Sequence, residues 1–279
     1  FAPKAKRVIE VFCSGALSHV DTFDFKPELI KHHGKPLPGN EKLVSFQGPN
    51  GNLTKPLWDY HPYGQCGKQV SDLVPHIGAL ADEICFFHSL TNKSNTHGPA
   101  ENYMNTGFVF DGFPSMGAWI NYALGSENQN LPAYIVLRDP AGYNTSGTLT
   151  WNHGWLPALY GGTEFSSQGS PVLNLKPWRQ LPVGVQRKNL AFLQKLNRRQ
   201  QREDPRGSDQ ETRIQNYELA ARMQLAASDI VDVSNETAAT QKLYGLDRPA
   251  TKKYGLRCLM ARKLIEAGVR FVQVHPGVG

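Results

Sequence analysis

The chain has 279 residues, 40% of them apolar and 19% charged, which is enough apolar material for a substantial core and too much for intrinsic disorder. Its 30 basic and 24 acidic residues leave a formal charge of +6, a general attraction to anions that names no partner. No stretch approaches the roughly 18 apolar residues of a bilayer span, so no transmembrane segment is expected.

Arg7-Val8-Ile9-Glu10-Val11-Phe12-Cys13 is an apolar, β-rich run that empties at Ser14-Gly15, the pattern of a buried strand. After the Pro- and Gly-rich stretch Lys35–Gly67, Val70, Leu73, Val74, Ile77 and Leu80 predict an amphipathic helix over Val70–Ala81. Ile84-Cys85-Phe86-Phe87-His88 predicts a second strand. Cys13 and Cys85 then read as buried free thiols. Together with Cys66 and Cys258 they form no C-x-x-C pair, which argues against a zinc ribbon and leaves disulfide pairing open.

Asn95–Gly107 turns from loop into short helix, Ser115–Leu124 is a helix preceded by Pro114, and Leu131–Leu137 is a third strand. Strands alternating with helices predict an α/β fold, a doubly wound and mainly parallel sheet covered on both faces. Asp139–Pro182 has little helical periodicity and carries Trp151, Trp155, Tyr160 and Trp178. It reads as a long excursion at 139–182, forming a lid, a substrate surface or an irregular packed cap.

A helical hairpin is expected over 185–228. Val185–Gln201 is followed by the breaker Pro205-Arg206-Gly207, and Ser208 with Glu211 makes a capping box for Glu211–Ala227. The segment Gln186–Arg206 carries Arg187, Lys188, Lys195, Arg198, Arg199, Arg202 and Arg206 against only Glu203 and Asp204. This reads as a solvated basic face with no known binding motif around it, and no specific nucleic-acid partner is expected. Pro249–Ala267 predicts a helix closed by Gly268, and Val269–His275 a strand. The whole of 1–279 reads as the N-terminal portion of one α/β domain, incomplete at the C-terminus. A strand-end His followed at once by the last residues predicts that the polypeptide continues, since loops after such strands carry the chemistry.

Four constellations qualify for chemistry. Ser14, Ser18, His19, Asp21, Thr22 and Asp24 follow the first strand, where carboxylate, imidazole and hydroxyl groups suit a hard cation or a transferring anion. Singly, each suits a turn or a cap as well. Asn95, Thr96, His97, Glu101 and Asn102 open a helix after the second predicted strand, and a helix N-terminus favours an oxyanion. Thr96 and Ser94 equally suit an ordinary N-cap. His275 ends the last strand and His153 lies in the aromatic excursion; a lone His supports no site by itself.

Pro3–Val8, Ser14–Pro27, Thr96-His97-Gly98-Pro99-Ala100 to Thr106-Gly107, Pro114–Trp119, Leu124–Pro132 and Gly268–Val272 together resemble a large bacterial family catalogued as domain of unknown function 1501. That family belongs to the alkaline phosphatase and sulfatase superfamily. The resemblance is nearly full length. It implies metal-dependent hydrolysis of phosphate or sulfate esters, with zinc, calcium or manganese as the metal, a small-molecule or glycan ester as substrate, and a periplasmic or secreted location. It places metal ligands at His19, Asp21 and His97, catalysis at His97 and Thr96, and substrate contacts at Asn95, Glu101 and Asn102. Two departures stand out: Ser14-Gly15 occupies the usual place of a metal-binding Asp, and His97 that of the usual nucleophile. The remaining ligands of the superfamily would lie beyond Gly279. The alternative is a non-catalytic binding or scaffold protein on the same fold, for anionic glycans.

Overall fold

The computed structural model describes residues 2, 4–39, 50–168, 182, 184–203, 214, 218–220, 222–223 and 230–277. In chain order they form β1 (Val8–Val11), a 3-10 turn at His19–Asp21, α1 (Pro27–Lys31), β2 (Tyr60–Tyr63), β3 (Lys68–Ser71), α2 (Pro75–Gly78) and a 3-10 turn at Ala81–Glu83. Then come α3 (His97–Thr106), α4 (Met116–Leu124), β4 (Tyr134–Leu137), 3-10 turns at Gly147–Trp151 and Ala158–Tyr160, and β5 (Thr163–Glu164). The last elements are α5 (Val185–Glu203), α6 (Ala238–Leu243), α7 (Pro249–Glu266) and β6 (Phe271–Val274). The chain divides into two compact units, one of residues 1–15 with 92–279 and one of residues 16–91. Among the described residues no helix is long and apolar enough to cross a membrane.

The larger unit is built on a parallel sheet of order β1-β6-β4-β5. Tyr134-Ile135-Val136-Leu137 and Phe271-Val272-Gln273-Val274 are buried at every residue, as strands covered on both faces must be. On one face Ile135, Leu137, Val272 and Val274 pack against Met260, Ala261 and Leu264 of α7. On the other, Tyr134, Val136 and Phe271 pack with Trp151 and Ile120 of α4. Each such aliphatic side chain contributes on the order of 1.5–3 kcal/mol through burial. Gly117 lets α4 approach, because a Cβ there would stand 2.5 Å from the Tyr134 ring. The α/β class and the mainly parallel sheet are therefore as the residue pattern predicts, and Ser115 caps α4 through the Ala118 N–H.

A polar seam crosses the second face. The Tyr134 hydroxyl donates to Gln273 Oε1 (2.8 Å), Gln273 Nε2 donates to Asn105 Oδ1 (2.7 Å), and Asn105 Nδ2 donates to the Glu101 carbonyl (2.8 Å). Glu10 pairs with Gln273 in the β1–β6 register. Burial pushes its carboxyl up to about 7, against the lowering effect of the Gln273 hydrogen bond.

The smaller unit pairs β2 with β3 antiparallel and packs Phe23 on Phe86 and Phe25 on Tyr60. It departs from two expectations. Val70, taken as the start of a helix over Val70–Ala81, is a fully buried residue of β3, and the helix is only the turn Pro75–Gly78. Pro75 explains this: with no N–H and a fixed φ it starts a helix and cannot sit inside one. Ile84–His88, read as a second strand, pairs with no strand among the described residues. Phe86 packs on Phe23 and under the Lys68 ammonium, so its apolar residues serve the small unit and not the parallel sheet. The strand, helix and second strand expected from Arg7 to His88 therefore do not combine into one β-loop-α-β unit. Cys13 and Cys85 are exposed, contrary to the buried reading, and all four thiols are free. The capping box and most of the second hairpin helix lie outside the described residues, as does 169–181 of the excursion.

Candidate functional site

Because the four strands of the larger unit run the same way, their carboxyl ends share one edge. In such sheets that is where ligands bind. His275 follows β6 directly and Asp139 follows β4 by one residue. Arg257 of α7, 1% exposed, joins them: its Nη2 donates to Asp139 Oδ2 (2.9 Å) and to the Pro276 carbonyl (2.6 Å). The Ser14 hydroxyl donates to the Gly277 carbonyl (3.3 Å), tying the end of β1 to the chain after β6.

His275 is 3% exposed and stands between the rings of Phe12 (5.6 Å) and Trp151 (5.3 Å). Burial, with a smaller contribution from the Arg257 charge, lowers its pKa to about 4, so the imidazole is neutral near pH 7. Outside it, Arg138 Nε bonds Glu164 Oε2 (2.7 Å) and its guanidinium lies 4.2 Å from the Tyr143 ring centre.

Buried polar atoms without a partner concentrate here: Arg257 Nε and Nη1, His275 Nε2, and both side-chain atoms of Asn144 in the loop leaving β4. Each such atom costs on the order of 1–3 kcal/mol if nothing satisfies it. Folded proteins retain few of them, so each calls for an ordered water, a ligand or a functional role.

The same loop is fastened to α3. Glu101 Oε2 accepts the Ser146 N–H (2.8 Å) and the Ser146 hydroxyl donates to the Gly98 carbonyl (2.7 Å). The last turn of α3 is held to the middle of β6 through Asn105 and Gln273. The helix start therefore lies beside the loop that leaves β4. Thr96 is its N-cap, yet the Thr96 side chain makes no capping bond. Pro99 has no N–H and the Ala100 N–H is spent on the Thr96 carbonyl, which leaves the His97 and Gly98 amides as the first-turn donors.

Of the residues singled out from sequence, Asn95, Thr96 and His97 are exposed at this helix start. Glu101 and Asn102 are buried on α3. The Glu101 carboxylate holds the loop, and Asn102 Nδ2 donates to Asp111 Oδ1 (2.7 Å) while its Oδ1 has no partner. His19 and Asp21 belong to the smaller unit, in the first 3-10 turn, where His19 is exposed and Asp21 half-buried. Asp21 accepts from the Ser18 hydroxyl (2.6 Å) and the Leu57 N–H (3.0 Å). Those bonds, Ser18 first, hold its carboxyl below the usual range.

Among the described residues no three His, Cys, Asp or Glu side chains converge as metal ligands. Two donors in one turn are short of the three that a catalytic zinc takes from protein. Sequence reasoning missed Arg257, Asp139 and Asn144. The available signals were an Arg inside the apolar run Leu256-Arg257-Cys258-Leu259-Met260 and an Asp just past a strand end.

A family model described as "Protein of unknown function (DUF1501)" matches residues 5–277. The chain belongs to this family. The match runs from before β1 to beyond β6, so the carboxyl edge, the start of α3 and the smaller unit all lie within the family's own pattern. No curated protein and no solved structure matches the chain.

Proposed function

We propose that this family member hydrolyses a phosphate or sulfate ester at the carboxyl edge of its parallel sheet, on a fold of the alkaline phosphatase and sulfatase type. The observation that carries the reading is the start of α3, where a Thr96 hydroxyl not used for capping and an exposed His97 imidazole stand at two open backbone amides. An oxyanion accepts from such amides and is favoured by the helix dipole. Thr96 or His97 supplies the nucleophile: its bond to phosphorus or sulfur forms as the bond to the ester oxygen breaks, the alcohol leaves with a proton, and water then cleaves the covalent intermediate to release phosphate or sulfate and restore the side chain. Arg257 and neutral His275 stabilise the edge that receives the ester. The divalent metal implied by the resemblance takes no step in this reading, because the described residues do not assemble its ligand set.

The test uses the full chain with p-nitrophenyl phosphate and p-nitrophenyl sulfate, with and without added zinc, calcium or manganese. Turnover of one ester is expected, with His97→Ala lowering kcat by about 100-fold or more. No turnover of either ester with any of the three metals sinks the proposal. Retention of an anionic glycan such as chondroitin sulfate under those conditions selects the non-catalytic binding protein instead.

A further inference from the structure

A cavity of about 810 Å³ opens at the other end of the sheet. Leu131-Pro132-Ala133, entering β4, and Gly161-Gly162-Thr163, entering β5, form its floor, and Asn121, Asn152, His153 and Tyr160 stand in its walls. Its volume falls in the range of small-molecule sites. Its lining differs from the carboxyl edge: apolar residues such as Leu131, Leu159 and Met223 alternate with amide and hydroxyl groups, with one acid, Glu218, and one strong base, Arg222. Such a lining favours no ion.

The hydrogen bonds leave a donor and an acceptor side by side. Asn152 Oδ1 accepts the Gly154 N–H (3.0 Å), and its Nδ2 has no partner among the described residues. His153 Nδ1 lies 2.7 Å from the Leu156 carbonyl, so Nδ1 carries the proton and Nε2 is left as an acceptor. Asn121 Nδ2 donates to the Tyr160 carbonyl (3.2 Å), which fixes the wall on which the Tyr160 ring is mounted.

From that ring an aromatic chain runs out to solvent. Tyr160 meets Tyr122 at 5.1 Å, Tyr122 meets Trp119 at 6.1 Å, and Trp119 meets Trp155 at 5.1 Å. Trp119, Tyr122 and Trp155 are 41%, 52% and 63% exposed. Isolated exposed apolar residues need no account, but contiguous large rings beside a cavity mark an interaction surface.

We propose that this cavity and its aromatic rim form a saccharide-binding site for a segment of neutral oligosaccharide. Sugar rings present C–H faces that lie against indole and phenol rings, and hydroxyls that both donate and accept, which is the pairing offered by Asn152 and His153. A lipid partner would match the rings and the apolar lining but leave the Asn152 amide and the His153 acceptor unpaired. Neither Thr96 nor His97 lines the cavity, and the proposal does not rest on the hydrolase reading.

The test is calorimetric titration of the full chain with cellohexaose, hexa-N-acetylchitohexaose, xylohexaose and mannohexaose, followed also by tryptophan fluorescence, with chondroitin sulfate as the anionic comparison. At least one neutral hexasaccharide is expected to bind and to shift the fluorescence. Trp119→Ala and Trp155→Ala should each weaken that binding about tenfold, Trp119→Phe and Trp155→Phe should retain most of it, and His97→Ala should leave it unchanged. Circular dichroism of each variant confirms that the fold persists. Failure of all four neutral hexasaccharides to bind, binding indifferent to both Trp→Ala variants, or binding of chondroitin sulfate alone overturns the proposal. None of these outcomes depends on whether the esters turn over.

Discussion

The two ends of one parallel sheet carry polar groups of opposite character in the larger unit. At the carboxyl edge the charges are buried and under-satisfied: Arg257 is 1% exposed, bonds Asp139 and Pro276 through one nitrogen and leaves two without partners. At the amino end, Asn121 and Asn152 are tied to backbone and the cavity between them is open and close to neutral. Buried charge is costly unless something completes its shell, so it is kept where binding or chemistry uses it. Satisfied amides cost little and leave directional contacts for a neutral ligand. The contrast teaches that polarity alone does not locate a site; the balance between burial and satisfaction does.

The largest expected effect breaks the carboxyl edge. Arg257→Ala removes the guanidinium joining the ends of β4 and β6, and should cost about 3–5 kcal/mol in denaturant unfolding, as loss of one partner of a buried pair does. A cost below about 1 kcal/mol would show that the edge is not held by this residue.

Titration probes the interior next. His275 is lowered from 6.5 to about 4, so between those values the folded chain binds fewer protons than the unfolded, and its contribution to stability is lost as pH falls through that window. Glu10 is raised from 4.5 to about 7, so the folded chain holds an extra proton there, and its contribution is lost as pH rises through that window. Each is worth up to about 3 kcal/mol. Between about 4.5 and 6.5 the two oppose each other. Glu10→Gln should uncover a stability that rises with pH from about 4 to 6.5, and His275→Gln one that falls from about 4.5 to 7. Parallel pH profiles for both variants and the parent chain would refute the assignment.

The smallest effect separates the two ends most sharply. Ser146→Ala removes the hydroxyl bond to the Gly98 carbonyl that fastens the loop after β4 to α3, at about 1 kcal/mol. Ester turnover should drop several-fold while hexasaccharide binding stays as it was. Equal losses in both would mean that the loop supports the whole unit and not one edge.

Legibility followed how local each signal is. β1, β4 and β6 announced themselves as short apolar runs, and α4 and α7 by caps and breakers such as Ser115, Pro249 and Gly268, because these patterns act within a few residues. Val70–Ala81 misled because apolar spacing was weighed without Pro75, and Ile84–His88 because an apolar run does not reveal whether a strand partner exists. Within the site, Thr96 and His97 were visible as polar residues opening a helix. Glu101 looked equally functional, yet its carboxylate holds the Ser146 N–H, a partner 45 residues away that no local pattern encodes.

By itself the amino-acid sequence determined the class of the fold and the identity of its central strands, since side-chain periodicity and backbone breakers are properties of the chain. Only the tertiary structure decided which polar groups are spent and which are left open. Arg257 reaches Asp139 across 118 positions and Gln273 reaches Asn105 across 168. Hydrogen bonding is settled by distance in space, and the strand crossovers that create those distances bring together residues whose sequence neighbourhoods carry no trace of one another.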